Sequence, residues 1–361
     1  MTAVAELEQL IDDVRRLVEA ESPSHAIDAI TESARTLAAL IEERTGCAAA
    51  LVDGPAGPHV HWSGGGEPQV LILGHHDTVF PLGTLAARPF THADGKLLGP
   101  GVFDMKAGIV QAIHAVAALD DPSGVEMLFT SDEEVGSRSS RRLLEERARA
   151  CGNVLVLEPS ADGGAVKTGR KGAGTFEVVV RGRAAHAGLE PERGVNSLVE
   201  AAHQVLRIAT FADPELGTTV TPTVASAGTA DNVVPAEARV RVDARVTSPV
   251  EQDRIEAAMA GLVPVDPEAT IEVLGGIGRP PMPETASATL FPLAAAASPG
   301  IGGVAVGGAS DGNLTAALGI PTLDGLGAVG GGAHADHEWV DVATMPARVE
   351  LVRGILTRLL G

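Results

Sequence analysis

Apolar positions recur at helical spacing through MTAVAELEQLIDDVRRLVEA at the start of the chain, and again from Ile30 to Gly46, where glycine closes the run. Both stretches predict amphipathic helices. Short strands are expected near Val60 and over Val70 to Leu73, and a further helix is expected after the Gly-Pro-Gly loop, with Ile109, Val110, Ile113 and Val116 among its apolar positions. VEMLFT (Val125 to Thr130) and VLVLEPS (from Asn153) read as buried strands. Helices interleaved with buried strands predict an α/β fold.

The texture changes from about Lys171. GTFEVVVRG alternates, GVNSLVEAAHQVLRIATF is helical, TTVTPTVASAG and EARVRVDARV are strands, VEQDRIEAAMAGL is helical, and ATIEVLGG is a last strand. The order β-α-β-β-α-β is that of a ferredoxin-like unit. It predicts an inserted domain over 171–280, closing at the Arg279-Pro280-Pro281 turn, inside a first domain made of 1–170 plus 281–361. That domain resumes with a helix near Thr285 to Ala297, a short strand near Pro321 to Leu323, and a C-terminal helix from about Thr344. Two domains suit 361 residues, because single cores usually stop growing at about 250–300.

Composition narrows the partners. A formal net charge of −20 with four lysines (Lys96, Lys106, Lys167, Lys171) argues against nucleic acid or an anionic membrane and suits cation binding. Cys47 and Cys151 form no close pair, so neither a disulfide framework nor a zinc ribbon is expected, and reducing cytoplasm is the expected compartment. The N-terminus carries acids where a signal peptide has basic residues, and no apolar run approaches the ~20 residues of a membrane helix. With no tyrosine in the chain, any acid, base or oxyanion donor must come from other side chains or the backbone.

Polar groups gather at the ends of the expected strands. VLILGHHDTV ends in two histidines and an aspartate; if extended geometry persists past Gly74, His75 and Asp77 share one face and His76 takes the other. A carboxylate beside a metal-binding imidazole can fix its tautomer, a role open to Asp77. Asp104 stands before a helix, as either an N-cap or a bridging carboxylate. SDEEVGS follows VEMLFT, and Ser131 and Glu134 there also have the spacing of a capping box. Glu158 closes the third strand. Ligands collect at the carboxyl ends of strands in open α/β sheets, so these acids point to one site. A two-metal site needs about five imidazole and carboxylate ligands. His75, Asp104, Glu134, Glu158 and His334 supply that chemistry, which leaves Glu133 as a base.

GHHDTV, GPGVFDMKAG, SDEEVGS, LEPS, RAAHAGLEPERGVNSLVEA and HADHEWV occur in the order found in one family. Together they resemble the co-catalytic zinc peptidase family of glutamate carboxypeptidase, acetylornithine deacetylase and succinyl-diaminopimelate desuccinylase, the glutamate carboxypeptidase branch above all. The resemblance implies a mixed-sheet catalytic domain with a ferredoxin-like dimerisation or lid domain, and a homodimer formed through that domain. It implies two Zn2+ per chain, with Co2+ or Mn2+ as substitutes. His75 and Glu158 would hold one ion, Glu134 and His334 the other, and Asp104 would bridge through a segment containing a cis Asp104–Met105 bond. Glu133 would be the general base and Asp77 the group orienting His75. His334 is preferred to His337 because the family places its ligand four residues before a glutamate, here Glu338. His186, Asn232 and Arg245 would stabilise the oxyanion and hold a substrate carboxylate, and Arg279 is a candidate anchor because guanidinium grips carboxylates at two points. The implied activity is hydrolysis of an amide next to a free carboxylate, with C-terminal glutamate release favoured and N-acyl-amino-acid deacylation as the alternative. A metal-binding module without turnover is the rival of another class, and it gives Glu133 no role.

Overall fold

Every residue of the strand Val70–His75 is buried, and its neighbours Val125–Thr130 and Val154–Val156 run parallel to it and are buried throughout. Side chains alternate between the faces of a strand, so a strand covered on both sides must be apolar at nearly every position. Leu71 and Leu73 join a cluster with Leu144, Ala148 and Leu314, whereas Val70 and Ile72 join one with Leu37, Ile109, Ile113 and Ile355. Each such aliphatic side chain contributes ~1.5–3 kcal/mol when fully buried. The whole sheet runs in the order Ala50–Val52, His59–Ser63, Val125–Thr130, Val70–His75, Val154–Val156, Thr322–Leu323, antiparallel in the first two pairings and parallel in the rest.

This computed structural model describes residues 3–361, which divide into two compact units. The mixed sheet belongs to the unit made of the chain up to Gly169, Glu284–Val306 and Ser310–Gly361. Its N-terminal helices are Ala3–Glu19 and Ile27–Thr45; the second starts before the expected Ile30 and ends at Gly46, whose φ of 74° is a left-handed turn that glycine adopts without strain. The helix expected over Thr285 to Ala297 is two pieces, Glu284–Ser287 and Phe291–Ala297. Pro292 explains the break, since it has no N–H to continue a preceding helix and is favoured in a first turn. A second, antiparallel sheet was not expected: Gly330–Gly331, Trp339–Asp341, Lys96–Leu98 and Thr91–Ala93 pair in that order.

The other unit is Arg170–Pro283 with Gly307–Ala309. At its neck Arg170 and Met282 exchange both backbone hydrogen bonds, at 2.9 and 3.0 Å. Its sheet is antiparallel, in the order Thr219–Ala227, Glu237–Val246, Gly172–Arg181, Thr270–Arg279. Ala201 and Ile208 of helix Ser197–Ala209, with Ile255 and Met259 of helix Pro249–Ala260, pack against Val178, Val180, Val240 and Val242. Ala185–His186 and Val233–Val234 add a small two-stranded sheet. Among the described residues no helix is long and apolar enough to cross a membrane.

Candidate metal centre

The three parallel strands deliver their polar residues at their carboxyl ends. His75 is the last residue of its strand and pairs in register with Thr130, after which the chain turns through Ser131 and Asp132 to Glu133 and Glu134. The third strand ends at Val156, and Glu158 lies in the loop beyond it. Asp104 occupies the turn Val102–Lys106 ahead of helix Ala107–Ala117 and is followed by a cis peptide bond to Met105. Lys106, not Asp104, is the residue at that helix's N-cap, and no side chain caps it. Likewise Ser131 donates to the carbonyl of Gly57 rather than capping the turn at Glu133.

Among the described residues two groups could hold a metal ion: His75, Asp104 and Glu158; and Asp104, Glu134 and His334, each with its donor atoms within 4.8 Å of one another. Asp104 faces both. Its Oδ1 is 3.2 Å from His75 Nε2, which lies 3.7 Å from Glu158 Oε1. Its Oδ2 is 3.4 Å from His334 Nε2, which lies 3.2 Å from Glu134 Oε2. His337 belongs to neither group. His334 reaches its place from a turn with φ 63°, ahead of the strand Trp339–Asp341.

Crowded acids and imidazoles hold one another charged. Burial pulls His75 down, but Asp104 and Asp77 outweigh it and hold the ring well above its ordinary value. Asp104, then Glu134, push His334 up to about 10. Burial raises Asp104, yet His334 and His75 leave its carboxyl below the ordinary range. Among the described residues Glu134 Oε1 is buried with no hydrogen-bond partner. Buried carboxylate oxygens are normally satisfied, and a cation would satisfy this one. Two imidazoles and three carboxylates, one of them shared, are the donor set a pair of borderline dications takes, so the residues fit such a pair.

Asp77 lies fully buried behind His75. The nearer contact to His75 Nδ1 is the Asp77 backbone carbonyl, at 3.0 Å, with the carboxylate Oδ1 at 3.5 Å. That carboxylate accepts the N–H groups of Glu133 and Glu134, both at 3.2 Å, and the hydroxyl of Ser24 at 2.7 Å. It therefore ties the Glu133–Glu134 turn to the His75 strand. His76 points elsewhere, toward the Ser33 hydroxyl and the Pro58 carbonyl, and burial lowers it to about 4. Glu338, used in the sequence only as a spacing mark, is 1% exposed and accepts three backbone N–H groups around Asp104. Burial pushes its carboxyl up to about 7. Only an acid on the strand side of a glycine-rich turn marked it in the sequence.

The remaining expected site residues lie in the second unit. His186 is exposed and pairs with Val233, and the neighbouring Ala187 N–H donates to the carbonyl of Asn232 at 2.9 Å, so His186 and Asn232 are brought together. Arg245 and Arg279 flank Ala173 from either side in the sheet. Arg245 is engaged by Asp243, Nε and NH2 each at 3.0 Å from a carboxylate oxygen. The two pairs are not close to each other. Arg181, not Ala173, stands at the His186 end of the shared strand, and at about 3.3 Å per residue the two ends are roughly 25 Å apart.

The chain matches the description "Peptidase family M20/M25/M40" over residues 71–358. It is 33% identical over 311 residues to carboxypeptidase G2 of Pseudomonas sp. (strain RS-16), covering 81% of this chain and 74% of the relative. It is 29% identical over 342 residues to succinyl-diaminopimelate desuccinylase of Xanthomonas campestris pv. campestris (strain 8004), covering 82% and 85%. The crystal structure of aminopeptidase PepT from Bacillus cereus ATCC 10987 superposes with a TM-score of 0.78 at 20% identity, over 98% of this chain and 99% of that one.

Proposed function

This chain belongs to peptidase family M20/M25/M40 and is a metallopeptidase or amidohydrolase, and on that premise we propose that it is a two-zinc carboxypeptidase releasing C-terminal glutamate from an N-acyl or peptidyl amide. The observation that carries the reading is Asp104, whose two oxygens face separate groups of ligand type. His75 and Glu158 would hold one ion and Glu134 and His334 the other, with Asp104 available to both; Co2+ or Mn2+ would substitute. The bound ions would supply polarisation of the scissile carbonyl and a more acidic water. Glu133 takes a proton from the attacking water and returns it to the leaving amine. Asp77 keeps the His75 ring and the Glu133 backbone in register with each other.

His186 donates to the developing oxyanion, Asn232 supports it, and Arg279 grips the free carboxylate, with Arg245 beside it. The roughly 25 Å between the His186 and Arg279 ends of one sheet supports a division of labour between two copies of the unit. Pairing has a physical motive: the edge strand Thr219–Ala227 exposes Val224, and the helix Ser197–Ala209 exposes Leu198, Val199 and Leu206. We therefore propose a homodimer through this unit, with His186 serving the partner's site. The exposed, free Cys47 suits a reducing compartment, the cytoplasm.

N-acyl-amino-acid deacylation is the second reading, favoured by the likeness to the desuccinylase. The test is amine release by the purified, zinc-loaded protein from folyl-glutamate, peptidyl-glutamates and a set of N-acyl amino acids. The proposal expects the highest kcat/KM on glutamate amides. Faster turnover of N-acyl amino acids other than glutamate would replace it with the deacylase reading.

A further inference from the structure

We propose that Glu338 is a positioning residue for the metal centre, fixing Asp104 and thereby the binding of both ions. The inference rests on the two-ion reading above. Its carboxylate Oε2 accepts the Gly101 N–H at 2.9 Å, and its Oε1 accepts those of Phe103 and Asp104, both at 2.8 Å. The three hydrogen bonds of this buried carboxylate are to backbone amides, and the buried Lys106 ammonium interacts with it through space.

The segment it binds needs such a partner. Gly101 has φ 73°, and the backbone of Asp104 and Met105 departs from helical geometry inside the turn Val102–Lys106. The amides of Gly101, Phe103 and Asp104 therefore turn to one side chain rather than to a regular ladder. Buried amides without a partner are costly, and the two oxygens of one carboxyl group accept all three. Because the Asp104 N–H is one of the three, the position of Glu338 sets the position of the residue whose two oxygens face the two ligand groups. A glutamine could not replace it, since its amide nitrogen would meet a backbone N–H donor to donor.

A simpler role competes. Glu338 lies four residues after His334 and could serve only to hold the His334 turn. That role predicts damage at the ion beside His334 and Glu134 alone, whereas action through Asp104 predicts damage at both ions.

The experiment titrates metal-stripped wild type, E338Q, E338D and E126Q with Zn2+ against a chromophoric chelator, reading two binding constants, and records the unfolding midpoint of each metal-free protein. Glu126 is the control: it is a buried carboxylate bound to Arg147 and His61 at the opposite end of the parallel strands. E126Q should lower the midpoint and leave both constants within about twofold. E338Q should weaken both ions about 10–100-fold, the usual effect of losing a group that orients a ligand. E338D, charged but one methylene shorter, should weaken both by less, and it carries the test if E338Q does not fold. Wild type binding fewer than two ions would instead defeat the two-ion reading. If wild type binds two while the folded Glu338 variant keeps both as tightly, or loses only one, the role assigned to Glu338 is overturned.

Discussion

Glu133 and Glu134 are neighbours in the chain with opposite expected responses to substitution. Glu134 belongs to the His334 group, with Oε2 3.2 Å from His334 Nε2 and, among the described residues, Oε1 buried without a hydrogen-bond partner, so Glu134→Ala should deplete metal. Glu133 belongs to neither group, so Glu133→Gln should keep about two ions per chain while lowering turnover at least ~10²-fold. Elemental analysis beside initial rates separates the two, and metal loss with Glu133→Gln would reverse the assignment. At this scale residue types and spacing carried much of the site. The four-residue step to Glu338 chose His334 over His337, and His334 is the one found beside Asp104 and Glu134. What spacing could not carry is direction. Asp77 meets His75 Nδ1 with its backbone carbonyl at 3.0 Å and its carboxylate at 3.5 Å, and the same carboxylate also holds the next turn, a second direction that spacing does not show. Glu338 likewise looked like punctuation, because its partners are amides, which every sequence contains.

One buried carboxylate joins the N-terminal helix to two others. Asp13 accepts from Arg44 Nε and NH2, both at 2.7 Å, and lies 2.7 Å from His114 Nε2. His114 stands in the helix Ala107–Ala117, which begins directly after the Asp104 turn, so this junction also supports the metal centre. Asp13→Asn should cost about 2–3 kcal/mol, near the low end for breaking a buried pair because Arg44 retains some solvent. Burial raises the Asp13 carboxyl, but Arg44 and then His114 outweigh it and leave it below the ordinary value. A depressed carboxyl stabilises the fold above its unfolded value, about 4, and loses that contribution as pH falls through the folded value. Urea unfolding should therefore show the full gap between wild type and Asp13→Asn at pH 7 and a shrinking gap below about pH 4. A gap that widens in acid would contradict this. Helices and fully buried strands were legible as long apolar or periodic runs. The sheet of Gly330–Gly331, Trp339–Asp341, Lys96–Leu98 and Thr91–Ala93 was not, because partly exposed strands of two or three residues carry no period to read.

For the whole molecule, the proposed dimer would have the site of each chain draw on a second copy. Mixing inactive Glu133→Ala chains with inactive His186→Ala chains should restore part of the activity, because a mixed dimer contains one site with both groups intact. Equal, negligible rates in mixed and unmixed samples, once subunit exchange is verified, would place His186 outside the partner's site. The alternating segment from Lys171 contrasts in texture with what precedes it, and one compact unit starts beside it at Arg170; the small Ala185–His186 and Val233–Val234 sheet of that unit was too short to be seen. The central proposal is amide hydrolysis by two ions that share Asp104. It is tested most directly by titrating metal-stripped protein with Zn2+ while following glutamate release from an N-acyl-glutamate. Uptake should saturate at about two ions per chain, with release appearing as they bind. Saturation at one ion, or two ions bound with no amide hydrolysed on any carboxylate-bearing substrate, would contradict it.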